Sequence, residues 1–267
     1  MGLAGAVFGR AVSAVVAVLL VASASVGAQK QLTPTETVVQ FYKLLRDQNY
    51  RAGMALSVFA DAVADLSDDD LVELTPDFQR TFSAIPATLN IKGEQVSGDS
   101  ATVFVQFGAP DQPADTVTLV RDNGQWLVGD RDVLAVVREQ RSAYFFNVRI
   151  SVDHNEVYDL IKSITGSEDV HFRRAKVYAT IDELIATEGL TDDLREGIAS
   201  GYRFVVNLTP DKQVYTVVAI PVRYGRTGRL SFYADAREIR GADAKGLVVG
   251  DQAPVLSENN FDAAENP

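Results

Sequence analysis

Residues 201–243 read GYRFVVNLTPDKQVYTVVAIPVRYGRTGRLSFYADAREIRGAD, and this stretch decides the fold of the half of the chain that contains it. Its apolar residues alternate, and each run is bounded by Pro, Asp or Gly, the pattern of short antiparallel strands. Tyr202, Phe204 and Val206 share one face of a first strand, and Val214, Val218 and Ile220 share a face of the next. Between them Thr209-Pro210-Asp211-Lys212 has turn chemistry, since proline presets φ and aspartate bonds the backbone ahead of it. Gly225-Arg226-Thr227-Gly228 turns the chain into a third strand over 230–234, and a short fourth strand is expected at 238–240.

Working outward from that sheet, 153–174 has helical spacing and 133–141 has it too. Residues 144–152 are apolar and ambiguous. A helix with a break near Ser151 is one reading, and a strand over 144–150 is the other, on its β-branched and aromatic content. The segments GYRF, VYTVVAIPVRYG, TGRLSFYAD and IRGAD, preceded by Asn155-Glu156, LIKSITGSED and TIDELIATEGLTDDLREG, follow one another in an order that resembles the C-terminal head of bacterial type IV pilin-like proteins. The resemblance spans roughly residues 147–246. It implies a helix and a small antiparallel sheet over 153–246, with 131–152 as a helical connector. Two features depart from that family: no acidic residue precedes Glu36 near the apolar N-terminal run, and 235–238 lacks the glycine the family often has there. A head without a filament is therefore expected, with an atypical minor pilin as a remaining alternative.

The first half reads as helices followed by strands. Thr33-Pro34-Thr35-Glu36 is a capping box with proline at the first helical position, and Val38, Phe41, Tyr42 and Leu45 recur at helical spacing behind it. A second helical pattern runs over 50–64. A third starts at the Ser67 cap and continues or restarts at Thr75-Pro76. The period then changes to two: Leu89 and Ile91, then Val103, Val105 and Phe107, then Val117 and Leu119. Asn123-Gly124 is a two-residue hairpin loop that returns the chain through Trp126 and Val128. This α+β order over 33–130, opened by TPTETVVQFYKLLRDQNY and closed by TVTLVRDNGQWLVGD, resembles the nuclear transport factor 2-like (cystatin-like) cone. The whole chain is thus expected to be α+β, a helix-and-curved-sheet cone followed by a helix and a pilin-like sheet, with a disordered tail over 247–267.

Composition bounds the function. The 267 residues carry a net charge of −11, which opposes nucleic acid and anionic membrane as partners. No cysteine is present, so disulfides and thiolate chemistry are excluded. Arg10 precedes an uncharged run over 11–28 that ends Val26-Gly27-Ala28, the pattern of a signal peptide cleaved after Ala28. Export to the bacterial periplasm or beyond follows from that reading. An uncleaved inner-membrane anchor over 11–28 is the alternative, since the run approaches the ~20 residues that span a bilayer.

Residues able to carry chemistry are sparse. No G-x-S-x-G elbow, phosphate-binding glycine loop or H-E-x-x-H motif occurs. His154 and His171 are not spaced to converge on a metal, and both are expected on a solvated helix face; Asp68-Asp69-Asp70 lacks EF-hand spacing. No metal or other cofactor is expected. A cone pocket would draw on Tyr42, Tyr50, Asp61 and Asp65 as acid–base groups, with Trp126 stacking on a ligand. At the second sheet's turn, Tyr224, Arg226 and Arg229 are candidates for touching a protein partner. The expected function is non-enzymatic: an exported interaction module whose resemblance implies pilus or secretion components as partners, with a ligand-binding or enzymatic cone pocket as the alternative.

Overall fold

The structure is a computed structural model and describes residues 31–109, 112–187, 189–257 and 261. The leader over 1–28 lies outside the described residues. From Leu32 onward the chain forms one compact unit. Its order is α1 (Pro34–Arg46), α2 (Tyr50–Met54), α3 (Ala60–Ala64), α4 (Asp68–Phe82), β1 (Leu89–Ser97), β2 (Ser100–Phe107), β3 (Asp115–Asp122), β4 (Gln125–Val128), α5 (Arg131–Gln140), α6 (Ala143–Ala175), α7 (Ile181–Ala186), a 3-10 turn over Asp192–Glu196, then β5 (Ile198–Ala199), β6 (Tyr202–Leu208), β7 (Tyr215–Pro221), β8 (Ser231–Ala234) and β9 (Ile239–Ala242). Two antiparallel sheets result, β1-β2-β3-β4 and β5-β6-β7-β8-β9, so the chain is α+β.

The capping signals act as read. Thr33 and Glu36 satisfy each other's backbone N–H groups at the start of α1, and Ser67 and Asp70 do the same for α4. Asn123 and Gly124 take positive φ, 45° and 81°, in the β3–β4 turn. Over 50–64 a single helix does not form. The backbone of 56–58 leaves the helical path to pair with β4 instead: Val58 N–H donates to the Val128 carbonyl and Val128 N–H to that of Leu56, both at 2.9 Å.

Between 143 and 175 the outcome is one continuous helix, with neither a strand over 144–150 nor a break at Ser151. The chain breaks earlier, at Arg141, whose φ is 53°. Buried positions on α6 run Phe146, Ile150, Asp153, Val157, Ile161, Ile164 and Glu168, in steps of three and four residues that trace one stripe. Phe145 and Phe146 join the core of the first half, while Val157, Ile161 and Ile164 join that of the second. Among the described residues no helix is long and apolar enough to cross a membrane.

Three expectations about the second half need correction. The inward face of β7 is Tyr215, Val217 and Ala219, opposite in parity to Val218 and Ile220, because β6 Phe204, Val206 and Leu208 register against those three. Val214 lies before the strand and is exposed. The tail is ordered where described: Leu256 N–H donates to the Ile239 carbonyl at 2.9 Å, Gly241 N–H to that of Pro254 at 3.0 Å, and Leu256 and Phe261 are buried. His154 is buried rather than solvated. Its Nε2 accepts from the N–H groups of Arg229 at 3.1 Å and Leu230 at 3.3 Å, and Tyr202, Phe232 and Phe261 surround it edge-on. The same corner requires a glycine. A Cβ at Gly228 would stand 1.9 Å from the Tyr202 hydroxyl, which donates to the Leu230 carbonyl at 2.8 Å.

Replacing His154 by Leu keeps the bulk but leaves the Arg229 and Leu230 amides unpaired, the Leu230 one in the core. A loss of about 2–4 kcal/mol is expected in urea unfolding. A loss below about 0.5 kcal/mol would show that the imidazole only fills space.

Candidate functional site

The residues expected to line a cone pocket do not converge. The side of the first sheet that faces α1 is filled by Val38, Val103, Val105, Val117 and Leu119, with Tyr42 packed at the margin against Phe107. Burial and the neighbouring Asp115 raise the Tyr42 phenol above its ordinary range. Tyr50 is buried in a different cluster, between Phe78 and Phe82, and burial raises its phenol too. Trp126 is buried, with the Arg121 guanidinium 4.7 Å from its ring centre. Asp61 on α3 and Asp65 just after it face outward. There Arg138 Nε donates to Asp61 at 3.2 Å, and Arg141 Nε to Asp65 at 2.7 Å.

The three hairpin residues turn inward or pair locally. Tyr224 donates its hydroxyl to Asp243 at 2.9 Å and accepts from Lys245 at 2.9 Å. Arg226 donates to Asp70 at 2.5 Å and lies over the Phe146 ring, 4.0 Å from its centre; Arg229 donates to Asn147 at 2.5 Å. Arg226 and Arg229 therefore fasten the second sheet to α4 and α6.

Around them lies a charged seam. Acidic residues Asp70, Glu73 and Asp77 recur on one face of α4 and meet arginines from both halves of the chain. Glu73 Oε1 accepts from Arg149 at 2.8 Å and from Arg223 at 2.6 Å, while Arg149 also donates to Asp77 and to the Glu73 carbonyl. The Arg149 side chain is only 10% exposed, so these bonds form largely out of water and outweigh a surface pair such as Lys43–Asp47. Arg226 and Ser67 hold the Asp70 carboxyl below its usual range. One turn along α6, Asp153 is buried and its carboxyl is pushed up to about 7, first by burial, then by Glu156 and Asp77, against the pull of Arg149 and Arg80. Sequence reasoning missed Asp153. The signal present was its spacing of four from Arg149, inside a mainly apolar stripe.

Beside the seam, α4 and α6 leave an open groove of about 280 Å³. Phe78, Phe82, Tyr144 and Phe145 line it, with Val148 and Val152 along one wall and Asp77, Arg80 and Arg149 at the edge. Its surface is largely apolar and aromatic, suited to receiving apolar side chains, with the Thr81 hydroxyl and the Tyr144 phenol among its polar groups. No group of three or more metal-ligating side chains occurs among the described residues. Comparison with protein-family models, with curated proteins and with solved structures gave no significant match to this chain.

The buried carboxyls set a pH dependence. Burial likewise pushes Glu168 up to about 7, with the Ala179 N–H opposing and Glu183 adding. Between the ordinary carboxylate range and about pH 7 the folded chain keeps protons on Asp153 and Glu168 that the unfolded chain has released. These two groups therefore make stability fall as pH rises through that window. Asp153→Asn removes one of them, so the variant gains on the wild type between pH 5 and pH 8, by about 1–3 kcal/mol in urea unfolding. An equal difference at both pH values would contradict the assignment.

Proposed function

We propose that this chain is an exported, non-enzymatic module that binds a protein partner through the groove between α4 and α6. The observation that carries this reading is the groove itself. Its walls are aromatic and aliphatic, Val148 and Val152 remain 47% and 41% exposed beside it, and charged side chains rim it. An apolar surface with a polar rim is the anatomy of a protein-binding patch. The filled inner side of the cone supports placing the function there rather than in a cone pocket.

Export to the bacterial periplasm or outside rests on the run over 11–28 and its small-residue end. The likeness of 201–243 to a pilin head supports pilus or secretion components as the class of partner.

The test uses the exported protein cross-linked in its own cell envelope. Wild type is expected to yield a defined partner, and the Val148→Glu, Val152→Glu double variant to lose at least about tenfold of it with its melting temperature unchanged, because both side chains face solvent. Equal recovery from both proteins, or no partner from either, contradicts the proposal. Intact mass of the same preparation tests export: a chain beginning at Gln29 is expected, and one beginning at Met1 contradicts cleavage.

A further inference from the structure

Farther along α6 from the α4–α6 groove, a cleft of about 530 Å³ opens between the helix, Tyr178, the start of β7 and the β8–β9 corner. That volume falls in the range of small-molecule sites. Three tyrosines line it: Tyr158 on α6, Tyr178 in the loop before α7, and Tyr215 at the head of β7.

Tyr215 marks the site. It is 3% exposed and packs edge-on against Tyr178 at 4.6 Å between ring centres, yet its hydroxyl has no hydrogen-bond partner among the described residues. A buried tyrosine hydroxyl ordinarily finds one. The oxygen is not wholly enclosed, unlike the unpaired Glu168 Oε1 and Ser231 Oγ, so it opens onto the cleft that its side chain lines.

Beside it stands a carboxylate in the same position. Asp235 follows β8, whose Ala234 pairs with Val217 two residues past Tyr215, and it lines the same cleft. It is half-buried, and its Oδ1 accepts from the N–H groups of Arg237 at 2.8 Å and Glu238 at 3.3 Å. Its charge has no ion-pair partner among the described residues. Other charges of the lining are answered: Asp169 by Arg173, Glu238 by Arg240, and Lys162 by Asp159 at 3.9 Å and by the Tyr158 ring at 5.7 Å. Lys162 is therefore engaged within the fold and is given no part in the site. Arg237, exposed, is the lining cation without an ion pair among the described residues. Burial raises the Tyr215 phenol above its ordinary range, and Glu168, Tyr178, Asp235 and Asp169 raise it further, so carboxylates dominate the field at the hydroxyl. Ile239 and Leu256 supply an apolar floor.

We propose that this cleft binds a small organic cation, a primary ammonium on an apolar body. The ammonium donates to Asp235 Oδ2 and to the Tyr215 hydroxyl oxygen, a charge-assisted pair of bonds. The body lies along Ile239 and the tyrosine rings, whose π-systems attract a nearby positive charge. The inference rests on neither the α4–α6 groove nor a protein partner.

The test is calorimetry and amide NMR on the exported protein with 2-phenylethylamine, 2-phenylethanol, phenylacetate and ammonium chloride. Saturable binding of 2-phenylethylamine is expected, with shifts centred on Tyr178, Tyr215, Asp235 and Ile239. The neutral alcohol, which lacks the charge, and ammonium, which lacks the body, should each bind at least about tenfold more weakly, and phenylacetate not at all. Asp235→Asn, which keeps the Oδ1 contacts, should weaken amine binding about tenfold. Tyr215→Phe should weaken it about threefold or more while the melting temperature stays at or above that of wild type, because the fold gives the hydroxyl no partner to lose. Arg237→Gln should strengthen binding about twofold by removing a like charge. Failure of the amine to saturate at millimolar concentration, equal binding of phenylacetate or the alcohol, or binding untouched by Asp235→Asn and Tyr215→Phe would each overturn the proposal. So would weaker binding to Arg237→Gln, or a Tyr215→Phe variant that melts several degrees lower.

Discussion

Helix α6 presents one buried stripe along most of its length, and covering that stripe organises both halves of the chain. Phe145 and Phe146 at its start are shared with α1, α4 and α5, while Val157, Ile161 and Ile164 are shared with the second sheet. Each such side chain is worth roughly 1.5–3 kcal/mol when taken out of water, more than any exposed ion pair on this surface. Because the two cores are strung on a single helix, neither can move without exposing part of the other's apolar surface. Residues 32–267 therefore form one compact unit where the sequence suggests two modules and a connector.

Between the two cores the stripe turns polar. Arg149, Asp153 and His154 occupy its middle, and two of them are answered from other elements: Arg149 by α4 and His154 by the backbone at Arg229 and Leu230, with Asn147 taking the Arg229 side chain. These contacts specify rather than simply stabilise, because a buried donor or acceptor tolerates only the partner placed for it. They set which loop of the second sheet meets α4. The arginines near the β7–β8 turn, read in isolation as a free hairpin tip, are consumed in making that junction.

Much of this was legible in the residues. The capping boxes at Thr33 and Ser67, the Asn123-Gly124 turn and the period-two runs of both sheets depend on local physics, and the structure follows them. What depended on distant partners was not legible. Ser151 lies where the apolar period lapses, and the lapse reads as a break because Glu73, Asp77 and the 229–230 backbone, which make Arg149 and His154 acceptable there, are far away in sequence. The inward parity of β7 was set by its register with β6 rather than by the most apolar side chains of the run. The tail is polar by composition, yet Leu256 finds a place against Gly241. The candidate pocket residues failed to converge for the same reason, since a tyrosine or aspartate carries no local mark of which way its helix will face. The α4–α6 groove arises from a pair of elements far apart in sequence and left no local mark.

Both halves of the chain depend on α6 acting as a single spine. Native-state hydrogen exchange across 146–166 tests this most directly, because amide opening energies report which stretches unfold together. Amides on both sides of Ser151 are predicted to exchange through one shared opening at the global unfolding energy. A drop in protection at 150–154, with the segments on either side opening at separate energies, would contradict the account and return the chain to two independent modules.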